Sequence, residues 1–187
     1  MKELVFFLEE ESAKALLEKL IPRMIPDGKT IHFRCVVFEG KQDLQKNLKR
    51  KIQGYLRPNA NFFVLRDQDR SDCVQVKKSL RAICRSAGQP KTVVRIACRE
   101  LEAFYLGDLR AVEVALGQKG LARKQQRAKF RDLDRLQNPA SELERLTKSA
   151  YQKVSGSRAI GEHLDFHASR SRSFLHLVRS IALAINS

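Results

Sequence analysis

No stretch of this chain approaches the ~20 consecutive apolar residues that a membrane helix needs, so no spanning segment is expected. The N-terminus runs from an apolar stretch straight into acids, which is not the basic-then-apolar order of a signal peptide. Only four cysteines occur, Cys35, Cys73, Cys84 and Cys98, and no two form a C-x-x-C pair. They read as reduced thiols in a cytoplasmic protein, with Cys35 and Cys98 as small strand hydrophobes. The phosphate loop G-x-x-x-x-G-K-[ST] is missing, as is G-x-G-x-x-G, which argues against nucleotide hydrolysis by the chain itself. A G-x-S-x-G elbow is also missing. His163 and His167 stand four apart, a spacing zinc can use, but no third ligand of the right type is near, so surface or capping roles are expected. There is no internal repeat and no low-complexity linker.

Charge is plentiful, and it is one-sided. The 187 residues carry a formal net charge of +15, with 43% apolar and 30% charged residues. Length and apolar content fit one domain with a small appendage. A surplus of this size speaks to partners rather than fold. Nucleic acid is the first expectation, ahead of an anionic membrane surface or an acidic protein.

Apolar runs at 3–8, 31–38, 61–66 and 92–97 read as strands. Helix-length segments separate them, at 11–23, 41–56, 71–86 and 99–116. Nearly all-apolar strands alternating with helices indicate an α/β fold, a parallel sheet of about four strands flanked by helices. Composition shifts after residue 117. Residues 119–131 carry six basic residues and no acid, and further helices are expected at 139–150 and 173–186. The division expected is therefore an α/β core over 1–117 and a basic helical appendage, packed on the core, over 118–187.

Ten acids within the first 108 residues follow the apolar runs: Glu9, Glu10, Glu11, Glu39, Asp43, Asp67, Asp69, Glu100, Glu102 and Asp108. Ligands of open α/β sheets bind beyond the carboxyl ends of the strands, so acids there converge. Carboxylates gathered together repel one another unless a cation sits among them. Asp67-Gln68-Asp69 is the sharpest local signal, since residues i and i+2 of an extended segment point to one side and two such carboxylates can bracket Mg²⁺. A turn followed by a helix cap is the competing reading. For Glu10, Glu11, Glu100 and Glu102 the competing reading is an acid in a first helical turn, where the helix dipole favours it. Glu9 is a candidate ligand or general base. Asp108 lies six residues past Glu102 and off its face. The basic candidates for phosphate contact are Lys41, Arg123, Lys124, Arg127, Arg170 and Arg172, the last two among serines whose hydroxyls also suit phosphate oxygens. Lys153, after Tyr151, is a candidate to reach the acidic rim.

The ordered motifs L-E-E-x-S, F-E-G-K-x-D-L, D-Q-D-R-x-x-C, R-x-E-L-E-A-F-x-L-G-D and S-R-S-F resemble a Toprim-like family of bacterial proteins, a domain of unknown function related to nuclease domains of the overcoming-lysogenization-defect type. The resemblance covers almost the whole chain and is weakest over 117–140. It implies a Rossmann-like sheet, Glu9 as general acid or base and possible ligand, and Asp67 and Asp69 holding Mg²⁺ or Mn²⁺. It also implies a further acidic group, Glu100 or Glu102, for a second metal. Where Toprim proteins have Glu-Gly, this chain has Glu9-Glu10. An ATPase partner in antiphage defence is implied as well. The expected function is thus metal-dependent cleavage of DNA or RNA phosphodiester bonds, with Glu9, Asp67 and Asp69 catalytic and Glu10, Glu100 and Glu102 joining them as metal ligands. The alternative is a non-catalytic nucleic-acid-binding or regulatory subunit of an ATPase complex. Tyr55, Tyr105 and Tyr151 have no context supporting tyrosine-based strand passage.

Overall fold

The computed structural model describes residues 2–57 and 59–187. Four strands form: β1 (Glu3–Leu8), β2 (His32–Val37), β3 (Ala60–Asp67) and β4 (Val93–Ala97). Between and after them run α1 (Glu11–Met24), α2 (Lys41–Gln53), α3 (Cys73–Ser86), α4 (Glu102–Leu106) and α5 (Leu109–Ala115). Beyond these come α6 (Leu121–Lys124), α7 (Pro139–Leu146), α8 (Lys153–Gly161) and α9 (Arg172–Asn186).

The strands pair in parallel, in the order β2-β1-β3-β4. Alternation along each strand divides its side chains between two cores. Leu4, Phe6, Leu8, Phe63, Leu65 and Ala97 face one, with α1, α4, α5, α8 and α9. Val5, Phe7, Phe62, Val64, Val94 and Ile96 face the other, with α2 and α3. Phe6 and Phe63 lie opposite each other in register, and their rings stack at 4.7 Å. Phe6 is fully buried, so truncating it to alanine would cost about 3–5 kcal/mol. Both faces are covered, which is why the strands read as continuous apolar runs rather than alternating ones.

Two elements depart from expectation. The segment 99–116 is not one helix: it breaks at Gly107, and Asp108 starts α5 afresh by accepting a hydrogen bond from Ala111 N at 3.0 Å. Gly107 is wedged against the C-terminal chain, where an added Cβ would lie 2.4 Å from Ser169 Oγ. The second departure is α8, a helix that weak amphipathy hid. It lies along α1, and an added Cβ on Gly161 would come within 3.0 Å of Leu16 O. Arg23 of α1 clamps its end, donating to Gly161 O and Leu164 O, both at 2.9 Å. At the sheet's far edge α9 lies on β4, with Arg95 Nε donating to Ser180 Oγ at 2.8 Å. Phe130, Leu143, Ile160, Phe174 and Ile181 thereby join the same buried cluster as β1 and α1.

From β1 the chain moves to β2 on one side, and from β3 to β4 on the other. The strand order therefore reverses between β1 and β3, and a crevice opens beyond their carboxyl ends.

Candidate functional site

Glu9 leaves the end of β1 held on both flanks. Its amide donates to Leu65 O at 3.4 Å, and its carbonyl accepts from Gly40 N at 3.0 Å. Its side-chain Oε2 accepts from Asp67 N at 3.2 Å and lies 3.6 Å from Nε of Arg66. Arg66 is buried, and that Nε has no hydrogen-bond partner. Burial and then the Asp69 charge raise the Glu9 pKa above the usual carboxylate range, against a smaller lowering by Arg66. Asp67, the last residue of β3, is pushed further. Burial, followed by the charges of Glu10, Glu102 and Glu9, raises its pKa well above the ordinary value.

Asp69 reaches the site by a different route from the one its spacing predicts. The strand stops at Asp67, and Asp69 takes a left-handed backbone with φ 55°. A turn, rather than the pleat, sets its direction. Its amide donates to Arg99 O at 2.7 Å, and Arg99 is left-handed as well, with φ 63°. Gln68 spans the same two loops, its Oε1 accepting from Arg99 N at 3.2 Å and its Nε2 donating to Ser71 O at 3.0 Å. Such backbone costs of order 1–3 kcal/mol per residue and persists where surrounding contacts fix it.

The remaining acids come from the loop after β4 and the start of α1. Glu102 opens α4, is buried, and accepts from the Tyr151 hydroxyl at 2.9 Å. Burial raises its pKa, an effect that the tyrosine bond opposes. Glu100 Oε2 accepts from Ala140 N at 2.8 Å, in the first turn of α7. Glu10 accepts from Ser12 Oγ and from Lys153 Nζ, each at 2.5 Å. Burial pulls the Lys153 ammonium pKa down, but the Glu10 hydrogen bond and charge outweigh it and raise it. Lys41 Nζ donates to Asp69 Oδ2 at 2.7 Å.

Glu9, Glu10, Asp67, Asp69, Glu100 and Glu102 line one cavity of about 530 Å³, together with Tyr151 and Lys153. The other four acids do not line it. Glu11 pairs with Lys14 at 3.2 Å, and Asp43 accepts from Glu39 N at 3.0 Å in the first turn of α2. Asp108 is the α5 cap, and it also holds Asp165 N at 2.9 Å. Tyr151 and Glu144 are walls of the cavity that the sequence reading missed, because they arrive from a segment about fifty residues past the strands. Behind Tyr151, at 6.0 Å between ring centroids, stands Tyr105, fully buried with an unpartnered hydroxyl.

Two of the basic candidates pair with acids of the cavity, while Arg170 reaches the segment between Lys124 and Arg127. Lys41 and Lys153 belong to the acidic rim. Arg170 donates to Gln125 O at 2.6 Å and Gln126 Oε1 at 2.9 Å, and Arg172 donates to Asp132 at 3.2 Å. The neighbouring serines are structural rather than phosphate-facing: Ser171 and Ser173 hydroxyls donate to Asp134, and Ser171 caps α9. Arg123 and Arg127 are exposed and Lys124 half-exposed, on α6 and the turn after it.

Among the described residues no three His, Cys, Asp or Glu side chains stand close enough to form a ready-made metal ligand set. The donors nonetheless suit a hard divalent cation in kind, being carboxylate oxygens only. Glu100 and Glu102 each hold their partner through one oxygen and keep a second. Burial first, and neighbouring carboxylates second, raise the Glu9 and Asp67 pKa values, and a bound cation would favour their charged forms.

Among known proteins, the chain matches the family described as a domain of unknown function (DUF4276) across residues 8–182, and it belongs to that family. No curated protein and no solved structure matches it.

Proposed function

We propose that this DUF4276 chain is a Toprim-type, Mg²⁺- or Mn²⁺-dependent nuclease that cleaves nucleic-acid phosphodiester bonds, working beside an ATPase partner as an antiphage effector. One observation carries the reading: six carboxylates at or just past the carboxyl ends of β1, β3 and β4 line a single cavity where the strand order reverses. Asp67 and Asp69, with Glu100 or Glu102, would hold the metal. When bound, the ion polarises a phosphoryl oxygen and lowers the pKa of an attacking water.

The chain's own groups supply the rest. A carboxyl whose pKa lies above the usual range is suited to take or give a proton, and Glu9 fits that role through the oxygen other than Oε2, which already accepts from Asp67 N. The Lys153 ammonium, 2.5 Å from Glu10, sits where it can turn from a carboxylate to a phosphate oxygen. The Tyr151 hydroxyl fixes one oxygen of Glu102, a residue that lines the cavity. Phosphate contacts carry no sequence information, so cutting with weak sequence preference is expected.

The test is to incubate the purified chain with single- and double-stranded DNA and with transfer RNA, in Mg²⁺, Mn²⁺ or chelator. Cleavage confined to the divalent arms, lost in Asp67→Ala while binding is kept, is the expected result. Cleavage that persists unchanged in Asp67→Ala would remove the assignment. Binding without cleavage in every arm would favour a non-catalytic subunit.

A further inference from the structure

At the opposite end of β4 from the acidic cavity the charge reverses. Lys77, Arg81 and Arg85 follow one another at i, i+4 and i+8 along α3, a row about 12 Å long at the helical rise of ~1.5 Å per residue. Like charges at this spacing destabilise a helix, and α3 has no acid past its cap Asp72 to offset them. Beside the row, Lys91 precedes β4 and Arg95 lies within it. Arg81, Arg85, Lys91 and Arg95 line a cleft of about 360 Å³ that contains no acidic side chain. Among the described residues none of these five cations forms a salt bridge, although eleven pairs form elsewhere on the molecule. Burial and the neighbouring Arg81 lower the Arg95 pKa, and burial with the charges of Arg95 and Arg81 lowers that of Lys77. Lys77, Arg81 and Arg95 therefore stand near enough to repel one another. Nothing in the fold requires the row, since Arg81 and Arg85 are exposed.

We infer that the α3–β4 cleft binds backbone phosphates of a nucleic acid, as an anchoring surface separate from the acidic cavity. The shape favours a strand over a free anion. A B-form strand presents a phosphate about every 3.4 Å of helix axis, so a 12 Å row meets several at once. Planar Arg forks at the middle and one end of the row, and Arg95 beside it, match phosphate oxygens. This surface does not depend on the acidic cavity being a cutting centre, and its test is run in chelator so that no cleavage enters.

Affinity for a duplex DNA and for an RNA oligonucleotide is measured by fluorescence anisotropy across a salt series. The variants are Arg81→Gln/Arg85→Gln and, as control, Lys46→Gln/Lys49→Gln on the exposed side of α2. Gln is a good helix former at exposed positions, and circular dichroism checks the fold. The α3 variant is expected to bind roughly 10-fold more weakly and to flatten the slope of log K against log salt by about 2, with the control changed far less. Inorganic pyrophosphate serves as the free-anion arm. An α3 variant with an unchanged slope would overturn the inference. So would pyrophosphate binding that the α3 substitutions abolish while oligonucleotide affinity stays intact.

Discussion

The two ends of β4 carry like-charge clusters of opposite sign, and they handle repulsion differently. Beyond its carboxyl end, the acids are relieved from within. Lys41 and Lys153 reach in from other elements, and burial shifts Glu9, Asp67 and Glu102 toward the protonated form. Beside its start, the arginines have no such outlet, because a guanidinium does not shed its proton in a protein. No acid lines that cleft. A carboxylate cluster can wait for its cation by holding a proton; an arginine row must look outside the molecule for its counter-charge.

The strongest way to separate the two is by catalysis. Asp67→Ala should lower divalent-dependent cleavage at least about 100-fold, the upper end of what loss of a metal-supporting group costs. Arg81→Gln/Arg85→Gln should raise KM and leave kcat within a few-fold; equal losses in kcat would merge the two sites into one. Next comes stability. Divalent ion at about 100 times its dissociation constant should stabilise the wild type by about 2.7 kcal/mol. Thermal melts in Mg²⁺ and in chelator should show that gain shrinking in Asp67→Asn and persisting in the arginine variant.

In chelator, Asp67→Asn should itself stabilise by about 1 kcal/mol, roughly 2–4 °C, by removing the cost of a buried carboxyl that its neighbours also repel. The pH dependence has the same origin. A carboxyl whose pKa is higher folded than unfolded contributes stability that is complete below the unfolded value and is lost as pH rises through the folded one. Glu9, Asp67 and Glu102 are of this kind. Asp43, Glu113, Glu142, Glu162 and Asp165 have lowered values, so their effect falls below the ordinary carboxyl range instead. Just above that range, from about pH 7 toward 5, the chelated wild type should grow more stable as pH falls, and Asp67→Asn less steeply so. The smallest effect is expected at the rim. Lys153→Gln breaks a half-exposed pair and should cost only about 0.2–1 kcal/mol in urea unfolding.

The strands were legible because both faces of the sheet are covered, which leaves runs such as Val5-Phe6-Phe7-Leu8 and Phe62-Phe63-Val64-Leu65 without polar interruption. Their carboxyl ends were legible for the same reason, and with them the positions of Glu9, Asp67 and Glu102. Less visible was anything set by distant packing. The 99–116 periodicity continues through Gly107, and only contact with Ser169 reveals why the helix stops there. Asp69 enters the cavity through a left-handed turn that no spacing rule specifies. Helix α8 carries two glycines and little amphipathy, and its helical form reflects its seat against α1. Tyr151 gave no signal at all, since its partner Glu102 lies 49 residues earlier.

The close seating of α8 on α1 has a practical corollary. Glu10 stands at the entrance to α1 and Lys153 at the first turn of α8, so the two helices share both a tight interface and one wall of the crevice. A truncation before residue 118 would strip Leu16, Leu17 and Leu20 of part of their cover and remove Tyr151 and Lys153 together. Trimming this chain to its sheet would therefore yield a half-walled basin in place of the cavity.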